Sequence, residues 1–417
     1  MKILLSAYSC GAAKTSEPGV AWRAIHHALA ENHEVWTISE KHCETAMMAY
    51  LADHPLPGYH PVFFQVSPLI AKIRRPGVRA NIYYYLWQNK LLSVARELHQ
   101  KIGFDLAHHV TFARYWSPSG VRNLGIPFIW GPVGAAESAP PAFLSEMALR
   151  DRLFEFARDR TRQVSHRDPA LRATARAATI AIGISRESCE ALRSLGARRV
   201  EQLPLSLDDD DLNVFESIPP PPSGPFRVIC MGRLLHWKGF YLAIRAFAIF
   251  ARKNPEAELW LVGSGPFQRE LEKTAAQTGT ASCVRFWGQL SHAAAMDKLS
   301  QAHVLLHPAL HDNFPGVCLE AMAAGRPVIC LDIGGPAFQV TPETGFIVPA
   351  TTPAESVEKL AAALSTLAND RVLLARMSVA ARARVRQEFT ASRTGAAMSN
   401  FYAQAVASHA ESRGRKP

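Results

Sequence analysis

The sequence predicts an α/β protein built from two doubly wound parallel sheets. Its 417 residues exceed what one hydrophobic core usually supports, and 48% are hydrophobic against 20% charged, which excludes a disordered chain. Apolar runs of strand length alternate with helix-length amphipathic segments, as in βαβ units, and this alternation occurs twice. A stretch rich in Asp and Pro, residues 206–225, separates the two series. We therefore expect two Rossmann-like domains that face a central cleft, followed by C-terminal helices.

The individual elements follow from this alternation. In the first series, strands are expected at 3–7, 34–38, 106–110, 127–130, 179–183 and 200–203, with the main helices at 19–30, 82–100 and 187–195. In the second series, strands are expected at 226–231, 259–262, 284–288, 304–307 and 328–331, with helices at 240–251, 267–276, 292–301 and 316–324. The Ala-rich C-terminal stretch carries no strand signal and is expected to be helical.

The predicted domain boundaries lie where the pattern changes. Residues 1–205 form the N-terminal domain, 206–225 form a linker stiffened by polyproline and repelling carboxylates, and 226–390 form the second domain. Residues 391–417 are expected to form a helix that packs back on the N-terminal domain and ends in a basic tail. Because open α/β sheets bind ligands at the carboxyl ends of their strands, we expect the functional residues in loops that follow strands.

The charge balance indicates an anionic partner. The chain has 46 Lys+Arg and 36 Asp+Glu, and residues 1–205 hold 25 of the basic and 17 of the acidic residues. The excess therefore belongs to the first domain, where basic and aromatic residues are interleaved. They are Lys72, Arg74, Arg75, Arg79, Tyr83, Tyr84, Tyr85 and Trp87, together with the basic stretch 150–176. This pattern suits an anionic membrane surface or a lipid diphosphate, and equally a solvated basic helix face; no nucleic-acid motif accompanies it.

Several other chemistries are disfavoured. The seven cysteines include no Cys-x-x-Cys pair, which predicts reduced thiols in a cytoplasmic protein rather than disulfides or a thiolate metal site. The run 208–211 contains an Asp-x-Asp pattern but lies in the linker, and His236, His303, His307 and His311 lack the spacing of metal ligands. No Gly-x-Gly-x-x-Gly motif precedes an acid about 20 residues on, which disfavours a dehydrogenase.

The most informative stretch is 307–328, which reads as a strand, a polar loop and the start of a helix. Backbone N–H groups near Gly316 would lie at the helix N-terminus, where anions bind, and Glu320 lies one turn further on, where a carboxylate reaches vicinal hydroxyls. Arg233 and Lys238 follow the first strand of this series and supply two cations suited to a diphosphate. A nucleotide that carries a sugar fits both features.

This half resembles the nucleotide-sugar domain of the family 4 retaining glycosyltransferases, which have the two-domain GT-B fold. Several motifs carry the resemblance, in the family's order and along the whole second domain. They are Gly232-Arg233 with Lys238-Gly239, the turn 262–266, Phe286-Trp287-Gly288, the acid and Glu separated by seven residues at Asp312 and Glu320, the run 320–328, and the turn 332–336. Each motif alone is a weak signal, whereas their combination is specific.

The resemblance implies roles for individual residues. Arg233 and Lys238 would hold the donor diphosphate, Glu320 the ribose hydroxyls, and Asp312 the transferred sugar. The other donor contacts that it implies are Gly232, Gly263, Gly265, Asn313, Phe314, Pro315, Gly316 and Val317. The donor would be a sugar linked to UDP or GDP, with no metal and no further cofactor. Asp312 is one methylene shorter than the commoner Glu, and Phe338 stands where many members carry an acid, so no role is assigned to it.

The N-terminal half resembles the family less closely. Gly19 lies in a segment like the glycine-containing loop that borders the donor phosphates in relatives. Residues 128–137, with Gly134 and Glu137, resemble a segment of a bacterial exopolysaccharide subgroup, except that alanines at 135 and 136 replace the usual glycines. Family members keep a catalytic histidine near the end of the strand at 106–110, which implies His108 first and His109 second.

Together these features predict a glycosyltransferase that acts with retention at the anomeric carbon. The resemblance implies a bacterial enzyme of cell-surface polysaccharide biosynthesis, of exopolysaccharide or lipopolysaccharide, that transfers to a polysaccharide or lipid-linked acceptor. It would be cytoplasmic, peripheral on the inner face of the membrane, and without a nucleic-acid partner. The alternative is a catalytically silent sugar-nucleotide-binding subunit of a glycan assembly complex.

Overall fold

The computed structural model describes residues 1–12, 16–67, 78–112, 114–221 and 223–414. The chain divides into two compact units. The first comprises Met1–Ala136, Arg160–Pro204 and Ser392–Pro417, and the second comprises Glu137–Asp159 and Leu205–Ala391. The segment 137–159 therefore belongs to the second unit, although it lies within the range 1–205 predicted for the first domain.

The elements alternate along both units. The strands are β1 Lys2–Ser6, β2 Glu34–Glu40, β3 Tyr59–Phe64, β4 Leu106–His109, β5 Phe128–Val133, β6 Ile180–Gly183, β7 Val200–Gln202, β8 Arg227–Met231, β9 Glu258–Val262, β10 Val284–Gly288, β11 Val304–His307, β12 Val328–Leu331 and β13 Gly345–Val348. The helices are α1 Ser16–Ala30, α2 Glu44–Asp53, α3 Val78–Ile102, α4 Pro141–Leu144, α5 Leu149–Ser165, α6 Pro169–Ala177, α7 Arg186–Ser194, α8 Asp209–Glu216, α9 Phe240–Ala251, α10 Gln268–Gln277, α11 His292–Gln301, α12 Gly316–Ala323, α13 Gly334–Gln339, α14 Pro353–Asn369, α15 Arg371–Glu388 and α16 Ala391–Gly414. Short 3₁₀ turns cover Lys41–Cys43 and His236–Lys238.

Each unit is built on one parallel sheet. The strand order is β3-β2-β1-β4-β5-β6-β7 in the first unit and β10-β9-β8-β11-β12-β13 in the second. Strands β11 and β12 are buried along their whole length, as expected where helices cover both faces of a parallel sheet. The predicted fold class, two doubly wound parallel sheets with a helical C-terminus, is confirmed.

The winding direction reverses once in each sheet. The reversal falls between β1 and β4 in the first sheet and between β8 and β11 in the second. Loops that leave the carboxyl ends of such neighbouring strands diverge and open a crevice, which is where doubly wound sheets bind ligands. The loop after β8 carries Arg233 and Lys238, and the loop after β11 carries Asp312.

The predicted linker contains a helix. Helix α8 begins with Asp209, Asp210 and Asp211 in its first turn, where carboxylates are stabilised by the helix dipole, and it buries Leu212 and Phe215. The acidic run is therefore a helix start with an apolar face rather than an extended spacer.

Two edge strands were not predicted. Strand β3 contains Pro61 and is only half-buried over most of its length, so it lacks the apolar signature of an inner strand. Strand β13 has only four residues and begins at Gly345. Each pairs with a single neighbouring strand, β2 and β12 respectively.

Gly239 is expected to be indispensable for stability because of its surroundings as well as its backbone angle. It has a φ of 66°, and a Cβ atom there would lie 1.9 Å from the carbonyl oxygen of Pro308. Gly279 has a similar φ of 72° but no atom within 4 Å of a Cβ. We expect Gly279→Ala to lower the free energy of unfolding by about 1–2 kcal/mol, the cost of the left-handed backbone. Gly239→Ala should lower the free energy of unfolding, measured in urea, by about 3 kcal/mol or more. An equal loss in the two variants would contradict the packing of Gly239 on Pro308.

Candidate functional site

The loops that follow β8 and β11 lie against each other. The Leu310 amide donates to the Trp237 carbonyl at 2.8 Å, and Gly239 packs on the carbonyl of Pro308. Only a residue without a Cβ atom allows this approach. The contact brings the side chains of Lys238 and Asp312 together.

Asp312 is the centre of a small ionic cluster. Its Oδ2 accepts a short hydrogen bond from Lys238 Nζ and lies 3.1 Å from His307 Nε2. His307 is fully buried, and its Nδ1 has no hydrogen-bond partner among the described residues. Two of the predicted residues are thus in direct contact, and His307, which the spacing of the histidines did not single out, is the third member.

The environment keeps Asp312 ionised as a carboxylate. Burial raises the pKa of Asp312, but the charge of Lys238 and the hydrogen bond from His307 outweigh it and hold that pKa well below its usual range. Burial lowers the pKa of His307 in spite of its contact with Asp312, so the imidazole is neutral at pH 7. A neutral His307 donates from Nε2 to the carboxylate.

Arg233 is exposed at the tip of the same loop, where its carbonyl accepts from the Leu235 amide at 2.9 Å. Within the described ranges, no hydrogen bond or ion pair engages its guanidinium. Gly263 and Gly265, in the turn after β9, pack on the loop that contains Gly232. A Cβ atom at Gly263 would lie 1.9 Å from the Gly232 carbonyl oxygen, and one at Gly265 would lie 2.3 Å from that of Leu234. These glycines let the two turns pack backbone against backbone.

Glu320 lies one turn into α12. Its Oε1 is 3.5 Å from His292 Nε2, at the start of α11, where the Ser291 hydroxyl caps the helix. Burial raises the pKa of Glu320, His292 opposes this shift, and the nearby Asp211 adds to it. A carboxylate with a raised pKa and little solvation gains from hydroxyl donors, which a ribose offers.

A cavity of about 510 Å³ adjoins His292 between α8 and α11. Its lining includes the apolar residues Phe215, Ile218 and Met296 and the acidic residue Asp211. The acidic run of the predicted linker therefore lies beside Glu320. This proximity could not be predicted, because nothing in the acidic run itself indicates a helix that packs next to α11.

The loop 313–317 has separate structural and exposed parts. Phe314 packs in an aromatic cluster with Phe338 and Phe389, at ring-centroid distances of 6.5 and 5.9 Å. Pro315 precedes α12, and its carbonyl accepts from the Gln339 side chain at 3.1 Å. Gly316 is exposed, with no atom within 4 Å of a Cβ position.

The remaining residues of this loop are half-buried. They are Asn313 and Val317. The carbonyl of Asn313 packs on Gly335, where a Cβ atom would lie 2.1 Å from it.

Glu137 lies in the second unit with the donor motifs. It is buried, and its Cγ would lie 2.9 Å from a Cβ atom on Gly334, a position that also faces the carbonyl of Asp312. The Glu137 carbonyl accepts from Arg158 at 2.7 Å. The sequence placed Glu137 with the acceptor half, whereas the structure brings it to the turn 332–336.

A second buried carboxylate was missed by the sequence. Glu155 Oε1 accepts from His236 Nε2 at 2.8 Å and from His311 Nε2 at 3.0 Å. Burial raises the pKa of Glu155, but the two histidine hydrogen bonds outweigh it and lower that pKa overall. Since His236 and His311 flank Lys238 and Asp312 along the chain, Glu155 ties down both loops of the site.

The two candidate histidines of the first unit are engaged internally. His108 bonds to the Gly131 carbonyl at 2.6 Å and to the Tyr402 hydroxyl at 2.8 Å, and burial lowers its pKa to about 4. His109 lies 3.3 Å from the Tyr84 hydroxyl and 3.1 Å from that of Ser119, and burial, followed by His108, lowers its pKa to about 3. Both imidazoles are neutral, and a ligand contact would have to replace one of these bonds.

The glycine-related predictions of the first unit fall on two elements. Gly19 is buried within α1, and Gly134 follows β5 and bridges to Arg114. Ala135 has a φ of 68°, a left-handed conformation that favours glycine. A glycine at position 135 would adopt this conformation without the strain that the alanine side chain causes.

The basic residues Lys72, Arg74 and Arg75 lie outside the described residues, and Arg79 lies at the start of α3. Within the described ranges, no helix has the length and apolar content that crossing a bilayer requires. Over the same ranges, no three His, Cys, Asp or Glu side chains are arranged to hold a metal ion.

The second unit matches a known family. Residues 214–384 match the family described as "Glycosyl transferases group 1". These residues contain the ionic cluster of Lys238, Asp312 and His307, and also Arg233 and Glu320.

Curated relatives match over a similar length. The chain is 32% identical over 181 residues to a GDP-mannose-dependent monoacylated alpha-(1-6)-phosphatidylinositol monomannoside mannosyltransferase of Corynebacterium glutamicum, covering 42% of the chain and 46% of that protein. It is 31% identical over 169 residues to the lipopolysaccharide core biosynthesis glycosyltransferase LpsD of Rhizobium meliloti, covering 40% and 47%. The chain thus spans about half the length of these relatives.

Solved structures share the fold over nearly the whole chain. The sucrose-phosphate synthase of Thermosynechococcus elongatus aligns with a TM-score of 0.64 at 20% identity, covering 98% of this chain and 99% of that one. HepE of Anabaena, in complex with UDP, aligns with a TM-score of 0.62 at 18% identity, covering 97% and 100%. The two-domain GT-B fold is therefore common to these proteins and this chain.

Asp312→Asn removes the anion that faces Lys238 and leaves a largely buried ammonium uncompensated, so the free energy of unfolding should fall by about 3 kcal/mol at pH 7. Folding lowers the pKa of Asp312. The stabilisation of the folded state by this carboxylate is therefore fully present above the unfolded pKa of about 3.9 and is lost as the pH falls below that value. The difference in the free energy of unfolding between wild type and variant, measured by urea unfolding, should therefore be constant from about pH 5 to 7 and should decrease below about pH 4. Asp297→Asn, at an exposed carboxylate, is the control; a difference that does not decrease in acid would contradict the ionic contact.

Proposed function

We propose that this chain is a glycosyltransferase that uses a nucleoside-diphosphate sugar and retains the configuration of the anomeric carbon. The observation that carries the proposal is the meeting of Lys238 and Asp312 at the switch point of the second sheet, with Arg233 exposed on the same loop and Glu320 one turn into α12. The match of this unit to the group 1 glycosyltransferases supports it.

The two cations suit the diphosphate of the donor. Arg233 presents a guanidinium that is exposed at the loop tip, and this group binds phosphate through two parallel hydrogen bonds. Lys238 adds a second positive charge at a place with little water. We further propose that these two charges balance the charge of the leaving diphosphate in the role that other transferases give to a divalent cation.

Asp312 has a different task from Lys238. A carboxylate that stays ionised only accepts hydrogen bonds, and sugar hydroxyls are donors, so Asp312 is suited to orient the transferred sugar. Its oxygen is already engaged by Lys238 and His307, which fixes the side chain before a ligand arrives. This engagement argues against Asp312 as a nucleophile.

The chemistry then needs no covalent enzyme intermediate. The bond between the anomeric carbon and the diphosphate oxygen breaks, and a bond to the acceptor oxygen forms on the same face. The acceptor's proton passes to the departing phosphate oxygen. The protein contributes positioning and stabilises the diphosphate charge as it develops, the task that Arg233 and Lys238 suit.

The nucleotide's other end fits Glu320 and the neighbouring cavity. Glu320 would accept from the ribose hydroxyls, and the base would lie towards His292 and the walls formed by Phe215 and Met296. UDP and GDP are both candidates, since HepE is solved with UDP and the mannosyltransferase is named for GDP-mannose.

We propose a polysaccharide or lipid-linked acceptor in cell-surface polysaccharide biosynthesis. The names of two relatives support this class, one acting on a phosphatidylinositol mannoside and one in lipopolysaccharide core biosynthesis. The basic excess of residues 1–205 supports an anionic acceptor or membrane surface at the inner face of the membrane.

The donor site is tested by comparing a nucleotide with inorganic pyrophosphate. UDP or GDP should raise the melting temperature, and Arg233→Met should weaken both the nucleotide and pyrophosphate by about tenfold or more, since a charge-assisted hydrogen bond contributes about 1.5–3 kcal/mol. Glu320→Ala should weaken only the nucleotide, because pyrophosphate has no ribose. Arg269→Met, at an exposed arginine of α10, is the matched control. Equal losses for both ligands with Glu320→Ala would contradict its assignment to the ribose.

Turnover is tested with the donor that binds best. An α-linked donor should yield an α-linked product by proton NMR, in the presence or absence of a metal chelator. Lys238→Met should lower kcat about 10²- to 10³-fold, as expected when a group that stabilises developing charge is removed. An inverted product would contradict retention. Tight nucleotide binding without turnover across a full donor and acceptor panel would favour a silent binding subunit.

A further inference from the structure

Helix α5 has its polar and apolar faces reversed relative to an ordinary surface helix. Leu149, Leu153 and Phe156 are 70%, 57% and 60% exposed, and Val164 continues the series further along. Their spacing of four, three and eight residues puts them on one stripe of the helix. An apolar stripe of this length turned towards water marks a binding surface rather than a scattered set of exposed residues.

The opposite face of the helix holds the charged residues that the fold needs. Glu155 is buried against His236 and His311, and Asp151 Oδ1 lies 3.4 Å from His236 Nδ1. Arg158 bonds to Glu155 at 3.2 Å. Since these contacts fix the rotation of the helix about its axis, the leucines cannot turn inward without leaving buried charges without partners.

The flanks of the apolar stripe are basic. Arg150, Arg152 and Arg160 are exposed, and on the helix they lie beside or within the stripe. Arg152 also donates to the carbonyls of Leu144 and Ser145, which holds the start of the helix in place. Apolar side chains bordered by arginines are the signature of helices that lie in the interface of an anionic bilayer.

We propose that α5 is a membrane-interface helix, whose Leu149, Leu153 and Phe156 enter an anionic lipid leaflet while Arg150 and Arg160 contact lipid phosphates. This deepens the proposed function by naming the surface at which a lipid-linked acceptor would be met. Charge favours a lipid surface over a second copy of the chain, because a symmetric pairing through this stripe would bring the arginines of both copies together. Lipid binding requires no donor sugar, so a failure of lipid binding can be distinguished from a failure of glycosyl transfer.

The test is flotation of the full chain with vesicles of phosphatidylglycerol mixed with phosphatidylcholine, and with phosphatidylcholine alone. The wild type should float with the anionic vesicles, and the bound fraction should fall as salt rises. Leu149→Ser/Leu153→Ser should lower the partition coefficient about tenfold or more at every salt concentration, since it removes apolar insertion. Arg150→Gln/Arg160→Gln should reduce binding mainly at low salt.

The matched control is Val372→Ser/Val379→Ser, which removes two side chains that are 80% and 71% exposed on α15. It should float like the wild type. All variants should keep the wild-type melting temperature, since the substituted side chains are exposed. The proposal is overturned if the wild type fails to float, if the leucine variant floats as well as the control, or if sedimentation without lipid shows a dimer that only the leucine variant dissociates.

Discussion

The buried contact between Lys238 and Asp312 is the constraint on which the second unit's site depends. The two ions come from loops at the carboxyl ends of neighbouring strands, and each compensates the other where little water reaches. The backbone enforces the same distance, because Gly239 packs on the carbonyl of Pro308. Electrostatics and sterics thus agree on one arrangement of the loops, and His307 holds the carboxylate from the buried side.

Glu155 extends this constraint to a part of the chain far from the motifs. By accepting from His236 and His311, it fixes the residues that flank the ionic contact, and it must face inward to do so. The rotation of α5 follows from that requirement, and its apolar residues are left at the surface. One buried carboxylate therefore links the two loops and also determines the reversed polarity of the helix.

The sequence predicted what depends on local pattern. Apolar runs such as 304–307 identified inner strands, and the rule that open α/β sheets bind ligands at the carboxyl ends of their strands pointed to the loops that carry Lys238 and Asp312. It missed Glu155, because its partners lie 81 and 156 residues away and no motif links them. The spacing of the histidines disfavoured them as metal ligands but could not show which groups they bind. Helix α8 was missed because its three aspartates, favourable at a helix start, also suit a solvated linker.

The second unit is assembled from two separate stretches of chain, and this affects how such proteins recombine. A single genetic crossover near residue 205 would exchange everything from 205 to 417, including 392–417 of the first unit, and would leave 137–159 behind. Phe143 and Met147 of the shorter stretch belong to the same core cluster as Phe247, and Glu155 serves the loops of the longer one. A chimera with one junction thus inherits a core packed against foreign side chains, whereas two additional junctions flanking 137–159 would transfer the unit whole.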